Sequence, residues 1–213
     1  MPRPEPIEKE KLILAEGKDA FHFFCHACNF YREVEDVQVM NFGGNEELPN
    51  FLSDLTNMDK FDEVNTIVIS RDAETDADAA IMSIQDAIKH ANNKNSANIP
   101  IPQESFTYTK TQKSSMKVAF MIFPGPELKN GTLEHLCLST VEGDPLLECV
   151  DEYLECAKTK GERFPRAHKN KLYCFLAGKD DFIGSRIGLA FKAKVWPPDH
   201  LALEPFKRII QEI

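Results

Sequence analysis

The sequence lacks the long apolar runs of membrane proteins, since no stretch approaches the roughly 20 residues that are needed to cross a bilayer. Its opening residues, MPRPEPIEKEKLI, are too polar for a signal peptide. We therefore expect a cytoplasmic protein with no membrane partner. The six cysteines are scattered through apolar segments, which predicts buried free thiols rather than a disulfide framework.

Several catalytic motifs are also missing. The chain has no G-x-x-x-x-G-K-[ST] loop for ATP and no G-x-S-x-G nucleophile elbow. A zinc site is suggested by His22, Cys25, His26 and Cys28, but a second ligand pair at zinc-finger distance is absent from the sequence. These residues lie in an aromatic-rich segment, so core packing is the favoured interpretation.

Basic residues are outnumbered, and 25 Lys and Arg against 34 Asp and Glu give a formal charge of −9. Proteins that grip duplexes through phosphates usually carry a basic face, so autonomous tight duplex binding is disfavoured unless the basic residues cluster in space. The proportions of hydrophobic and charged residues, 42% and 28%, are typical of globular proteins. Together with the length, they predict one domain over residues 1–213, with a core at about 11–125 and a mainly helical extension at about 131–213.

Alternating strand and helix patterns fill the first half of the chain. Apolar runs predict strands at residues 11–15, 36–42, 66–70 and 117–123, of which TIVIS at 66–70 is typical of a strand buried on both faces. Helical spacing of apolar residues predicts helices between them. Residues 99–113 contain two prolines and some alternation of apolar and polar residues. This pattern fits either an extended loop or an edge hairpin, and the sequence does not decide between them.

Three strand-helix units and a fourth strand favour a parallel sheet, because parallel strands need long crossovers and helices supply them. The predicted fold class is therefore α/β, with a mostly parallel, Rossmann-like sheet of four strands and helices on both faces. After Gly131 the apolar spacing becomes mainly helical, which predicts a helical C-terminal extension.

Acidic residues follow two of the predicted strands directly. Glu16-Gly17 ends the first strand, and Asp72 and Glu74 follow the third. Ligands of open α/β sheets collect at the carboxyl ends of the strands, so Glu16 and Asp72 could face each other across one gap. Two carboxylates that close repel unless a cation lies between them, and hard oxygen ligands suit Mg²⁺ or Mn²⁺. Ordinary helix capping is the alternative for such acids, and it is favoured for Asp19, Asp76 and Asp78.

Two of these segments carry a resemblance. LILAEGKDA and IVISRDAETD resemble the two signatures of the Toprim domain, which topoisomerases, bacterial primases, recombination mediators and overcoming-lysogenisation-defect (OLD) nucleases share. The Gly43-Gly44 pair and the later Gly131-Thr132-Leu133-Glu134 are similar to the nuclease branch. The likeness extends over nearly the whole chain, and stand-alone bacterial Toprim-like proteins of unassigned function resemble it most.

The resemblance implies a catalytic glutamate at Glu16, metal-binding acids at Asp72 and Glu74, and a further acid at Glu134. It implies an Mg²⁺- or Mn²⁺-dependent, nuclease-like activity on DNA or RNA, with phage defence as a context. In such chemistry a lysine offsets developing charge. The candidates for that role are Lys18, Lys169 and Lys171, and Lys171 is taken as the catalytic one.

The sequence departs from the Toprim pattern in two places. The usual aspartate-x-aspartate appears as Asp72-Ala73-Glu74, and the acid expected four residues after Glu16 is replaced by Ala20. Asp19, beside that position, is counted with the candidate metal ligands. These departures keep a second hypothesis open, namely a non-catalytic Toprim-like binding module that acts with a partner ATPase or nucleic-acid-processing protein. The sequence leaves open the oligomeric state and whether Glu134 folds back near Glu16.

Overall fold

A computed structural model describes residues 4–32, 35–112, 114–179, 184 and 186–213. Its five strands are β1 (Lys11–Glu16), β2 (Val37–Gly43), β3 (Thr66–Asp72), β4 (Thr109–Thr111) and β5 (Ser114–Phe123). Its helices are α1 (Gly17–Tyr31), α2 (Leu48–Leu55), α3 (Ala77–Asn95), α4 (Leu133–Ser139), α5 (Leu146–Thr159), α6 (Ala167–Ala177), α7 (Ile187–Lys192) and α8 (Glu204–Glu212). Among the described residues, no helix has the length and apolarity of a membrane span.

The strands form one mixed sheet in the order β2-β1-β3-β5-β4. The first four strands in this order are parallel, whereas β4 pairs antiparallel with β5 at the edge. The prediction of four strands was therefore wrong by one, although the α/β class is confirmed. The segment that the sequence left open contains the extra strand, and three residues are too few for a clear alternation pattern.

Helices cover both faces of the sheet, as expected from strands that are apolar on both sides. On one face, α2 and α3 pack against the side chains of Leu12, Leu14, Ile67 and Ile69. On the other face, α1, α4 and the later helices enclose Ile13, Val68 and Phe123. The C-terminal helices thus belong to the core of that second face rather than standing apart from it.

Helix α7 was not predicted, because six residues give too little periodicity to recognise. It packs so closely on α1 that a Cβ atom at Gly188 would lie 2.6 Å from the backbone oxygen of His22. Only glycine permits this approach. Four residues after the end of α7, Trp196 is fully buried and its indole N–H donates to the Ile187 carbonyl at 3.1 Å.

The prediction that the cysteines are buried was wrong for two of them. The cysteines are free, but Cys149 and Cys156 are exposed, since they lie on the outer side of α5. Phe30 continues the apolar spacing of α1, yet it is 44% exposed because it lies in the last turn of the helix, where its ring is only partly covered by Phe191.

Candidate functional site

Three acidic residues come together at the carboxyl ends of the parallel strands. Glu16 is the last residue of β1, Asp72 is the last residue of β3, and Glu134 is the second residue of α4, which follows β5. Because β1, β3 and β5 are neighbours in the sheet, their ends meet at one edge. We call Glu16, Asp72 and Glu134 the acidic cluster.

Glu16 contacts the end of β3 directly. The backbone N–H of Asp72 donates to Oε2 of Glu16 at 3.2 Å, and the Arg71 Nε atom lies 3.7 Å from the same oxygen. Burial raises the pKa of Glu16 above its usual value, although the Asp72 amide and the Arg71 charge oppose this shift. Glu16 is therefore a carboxylate with an increased affinity for a proton.

Asp72 is the most strongly perturbed member of the acidic cluster. Burial, followed by repulsion from Glu134, Glu16 and Glu74, raises the pKa of Asp72 to about 8. One opposing interaction is the backbone N–H of Leu133, which donates to Oδ1 of Asp72 at 2.9 Å. Near neutral pH the Asp72 carboxyl is consequently protonated in a large fraction of molecules.

Glu134 is only 2% exposed, and both of its oxygens are engaged. The Thr132 hydroxyl donates to Oε2 at 2.6 Å, and the Lys169 ammonium lies 3.1 Å from Oε1. Burial alone raises the pKa of Glu134, but the hydrogen bond from Thr132 and the charge of Lys169 together bring it below its usual value. Glu134 is therefore an ionised, paired carboxylate, and it lies close enough to Asp72 to raise the pKa of that carboxyl.

Glu74 lies at the edge of the acidic cluster. Its position is fixed by a pair of backbone hydrogen bonds to Gly131, which we call the ladder. Its N–H donates to the Gly131 carbonyl and its carbonyl accepts from the Gly131 N–H, both at 2.8 Å. Its backbone is left-handed, with φ of 53°, and its side chain is exposed. The ladder joins the turn after β3 to the turn before α4, so it holds together the segments that carry Asp72 and Glu134.

The remaining candidates lie around this centre. The predicted capping of α1 by Asp19 was wrong, because the helix begins at Gly17 and Asp19 lies within its first turn. The Tyr173 hydroxyl donates to Oδ2 of Asp19 at 3.4 Å. Lys18 is exposed, and Lys171 pairs with Asp151 at 2.8 Å. Of the three lysines that the sequence singled out, Lys169 is the one paired with the acidic cluster.

Capping is confirmed for Asp76, whose Oδ1 accepts from the N–H groups of Asp78 and Ala79 at 2.9 and 3.3 Å. Asp78, which was considered for the same role, instead lies in the first turn of α3.

Sequence reasoning missed Arg71 and Ser70. Both are buried, and neither the Arg71 Nε atom nor the Ser70 hydroxyl has a hydrogen-bond partner among the described residues. An arginine at the end of a continuous apolar strand was the available signal, because buried charges are rare unless they are paired. Arg71 supplies positive charge beside Glu16 that would suit an anion as well as the carboxylate.

The geometry places limits on metal binding. Within the described part of the chain, no three His, Cys, Asp or Glu side chains are arranged to hold a metal ion. Both oxygens of Glu134 are engaged, one by Thr132 and the other by Lys169. Asp72 has one oxygen engaged by the Leu133 amide, whereas Glu16 interacts with the backbone amides of both Asp72 and Asn45.

Comparison with known proteins gave one match. A family model described as a protein of unknown function, DUF3226, matches residues 10–213. No curated protein and no solved structure showed a significant match to the chain.

Proposed function

We propose that this chain, which belongs to the DUF3226 family, is a Toprim-like protein that uses Mg²⁺ or Mn²⁺ at the acidic cluster for nuclease-like chemistry on nucleic acid. The observation that carries the proposal is the environment of Asp72, whose pKa is raised to about 8 by burial and by three neighbouring carboxylates. Such repulsion is costly unless a proton or a cation relieves it. Strongly perturbed acids of this kind cluster at functional sites.

The donor set fits a magnesium-type ion. Mg²⁺ is commonly bound through one or two carboxylates together with waters and substrate phosphates, rather than by a complete protein cage. Glu16 and Asp72 are the two carboxylates that would hold it, with Glu74 exposed beside them and Glu134 available if Lys169 moves aside. A bound ion would offset the negative charge of a phosphodiester and activate a water molecule.

The protein's own groups have separate roles in this proposal. Glu16, whose pKa is raised by burial, is suited to accept a proton from an attacking water. Lys169 stays charged because Glu134 offsets the effect of burial and raises its pKa above the usual value. An ammonium at this point would stabilise charge that develops on a phosphate. Lys169 therefore replaces Lys171, which pairs with Asp151, in the charge-offsetting role.

One observation favours the second hypothesis, a non-catalytic binding module that works with a partner ATPase or nucleic-acid-processing protein. Glu134 already has a counter-charge in Lys169, so the cluster does not need a metal to neutralise all of its acids. The net charge of −9 also disfavours autonomous binding of a nucleic acid.

Cleavage assays distinguish the two hypotheses. Supercoiled plasmid and single-stranded DNA are incubated with Mg²⁺ or Mn²⁺ and with the native protein, Glu16→Gln or Glu63→Gln. Glu63 is exposed and precedes the start of β3, at the opposite end of that strand from Asp72, which makes it a matched control. We expect cleavage by the native protein and by Glu63→Gln, and a loss of at least about 100-fold in Glu16→Gln.

Calorimetric titration with Mn²⁺ tests metal binding separately from cleavage. We expect binding by the native protein and by Glu63→Gln that is abolished in Glu16→Gln. Absence of cleavage together with absence of Mn²⁺ binding would refute the enzymatic proposal and favour the binding module.

A further inference from the structure

A groove with a cavity volume of about 560 Å³ opens between α4, α5 and α6. This volume lies within the range of roughly 300–1,000 Å³ that is typical of small-molecule sites. The groove has apolar walls formed by Leu138, Leu147, Leu154 and Phe164. Neither the sequence reasoning nor the proposed chemistry assigns a role to it.

Two histidines of this groove stack on each other, so that the pair presents an outer ring face. The rings of His135 and His168 lie 4.6 Å apart between centroids, with 31° between their planes. The His135 ring is oriented by Thr132, whose backbone N–H donates to Nδ1 at 3.2 Å. Aromatic surfaces of this kind are those on which nucleic-acid bases stack.

The charged lining residues disfavour an anionic occupant. Lys158 is paired with Glu155 at 3.0 Å and Lys171 with Asp151 at 2.8 Å, and Glu142 adds a further carboxylate to the lining. An apolar groove with paired charges disfavours a phosphate and accommodates a neutral ring. At the same time, the Lys171–Asp151 pair offers both donors and acceptors to the polar edge of a base.

The groove adjoins the acidic cluster through residues that are neighbours in the sequence, although no side chain of the cluster lines it. His135 follows Glu134 in α4, and His168 precedes Lys169 in α6, so the two histidines adjoin the Glu134–Lys169 ion pair. A nucleotide whose base occupies the groove would therefore have its phosphate on the side of the cluster. The groove and the cluster lie side by side, as the base and phosphate subsites of one substrate would.

We infer that the groove between α4, α5 and α6 is a nucleobase-binding subsite in which a base stacks on the outer face of the His135–His168 pair. This inference deepens the proposed function and rests on it for the identity of the substrate as a nucleic acid. Base recognition itself requires neither a metal nor cleavage. Its test can therefore be separated from the test of the enzymatic proposal.

The test is calorimetric titration of the full chain with AMP, GMP, CMP and UMP in the presence of EDTA, with ribose 5-phosphate as the probe that lacks a base. We expect saturable binding of at least one nucleotide and none of ribose 5-phosphate. His168→Ala should weaken binding by about 5- to 150-fold, which is the range observed for loss of one base–aromatic stack. Ala167→Trp should abolish binding because the new ring fills the groove from the exposed start of α6.

The control is His90→Ala, which removes an exposed histidine from α3, away from the groove. It should bind as the native protein does, and circular dichroism should show that all variants are folded. Competition with a short single-stranded oligonucleotide identifies the source of the base. Tighter binding of the oligonucleotide would mean that the subsite takes a base from a nucleic-acid strand. Binding of the mononucleotide alone would mean that it takes a free nucleotide.

The inference is overturned if none of the four nucleotides binds at millimolar concentration, or if Ala167→Trp leaves their binding unchanged. It is also overturned if the native chain binds no nucleotide and forms a dimer that Ala167→Trp dissociates, because a second copy would then fill the groove. Nucleotide binding without any cleavage of DNA would support the subsite and count against the enzymatic proposal alone.

Discussion

Asp72 makes the stability of the protein depend on pH. Its pKa is raised to about 8 in the folded chain, whereas an unfolded aspartate has a pKa of roughly 3.9. Between these values the folded state holds a proton that the unfolded state has lost. The contribution of Asp72 to stability is therefore present in full below pH 4 and is lost as the pH rises towards 8.

Asp72→Asn should remove this dependence, because an amide does not titrate and its oxygen can still accept from the Leu133 N–H. We expect the variant to be more stable than the native chain at pH 9, by on the order of 3 kcal/mol, and similar to it at pH 4. Urea unfolding in EDTA at pH 4, 6 and 9 measures this difference. Asp86→Asn, which changes an exposed acid of α3, should retain the native pH dependence. A difference between Asp72→Asn and the native protein that stays constant with pH would contradict the assignment.

The ladder between Glu74 and Gly131 joins two turns and requires a glycine at position 131. Gly131 has φ of 125°, and a Cβ atom there would lie 2.9 Å from Cδ of Pro124. Gly131→Ala should therefore cost about 1–3 kcal/mol of unfolding free energy. It should also weaken Mn²⁺ binding, because the ladder holds the turns beside Asp72 and Glu134.

Gly143→Ala is the matched control for this prediction, since nothing lies within 4 Å of a Cβ atom at that position. Unfolding midpoints in urea and calorimetric Mn²⁺ titrations of both variants provide the measurement. Equal effects of the two substitutions would mean that the ladder contributes nothing specific to the cluster.

The elements that could be predicted from the sequence are those with enough residues to show a period. The apolar run of β3 and the spacing of Leu48, Phe51, Leu52 and Leu55 in α2 indicated buried elements, and these residues are buried. Glu16 and Asp72 could be placed at one edge because parallel strands end together. In contrast, the pairing of Lys169 with Glu134 depends on how α6 packs against α4. These two helices are far apart in the sequence, so the spacing of residues within either helix could not predict the contact.

The whole chain is predicted to unfold as a single unit, because both apolar clusters pack on the same sheet. Trp196, the single tryptophan, lies in the cluster on the α1 side, whereas Leu52 lies in the cluster on the α2 side. Leu52→Ala should lower the unfolding free energy by about 2–5 kcal/mol. The transition followed by Trp196 fluorescence should shift as far as that followed by far-ultraviolet circular dichroism.

Met82→Ala, at a position 62% exposed on α3, is the control and should change the unfolding free energy by less than about 0.5 kcal/mol. If Leu52→Ala shifted the circular dichroism transition and left the Trp196 transition in place, the two faces would unfold separately. The prediction of one domain over residues 1–213 would then be wrong.

The protonated carboxyl of Asp72 links cation binding to proton release. Because its pKa is about 8, an ion that binds at pH 7 must first displace the proton that most molecules carry there. Binding would therefore acidify a weakly buffered solution, and the heat measured would vary with the ionisation enthalpy of the buffer. For the same reason, the apparent affinity for the ion would rise with pH, by up to about tenfold for each unit, until the pH reaches about 8.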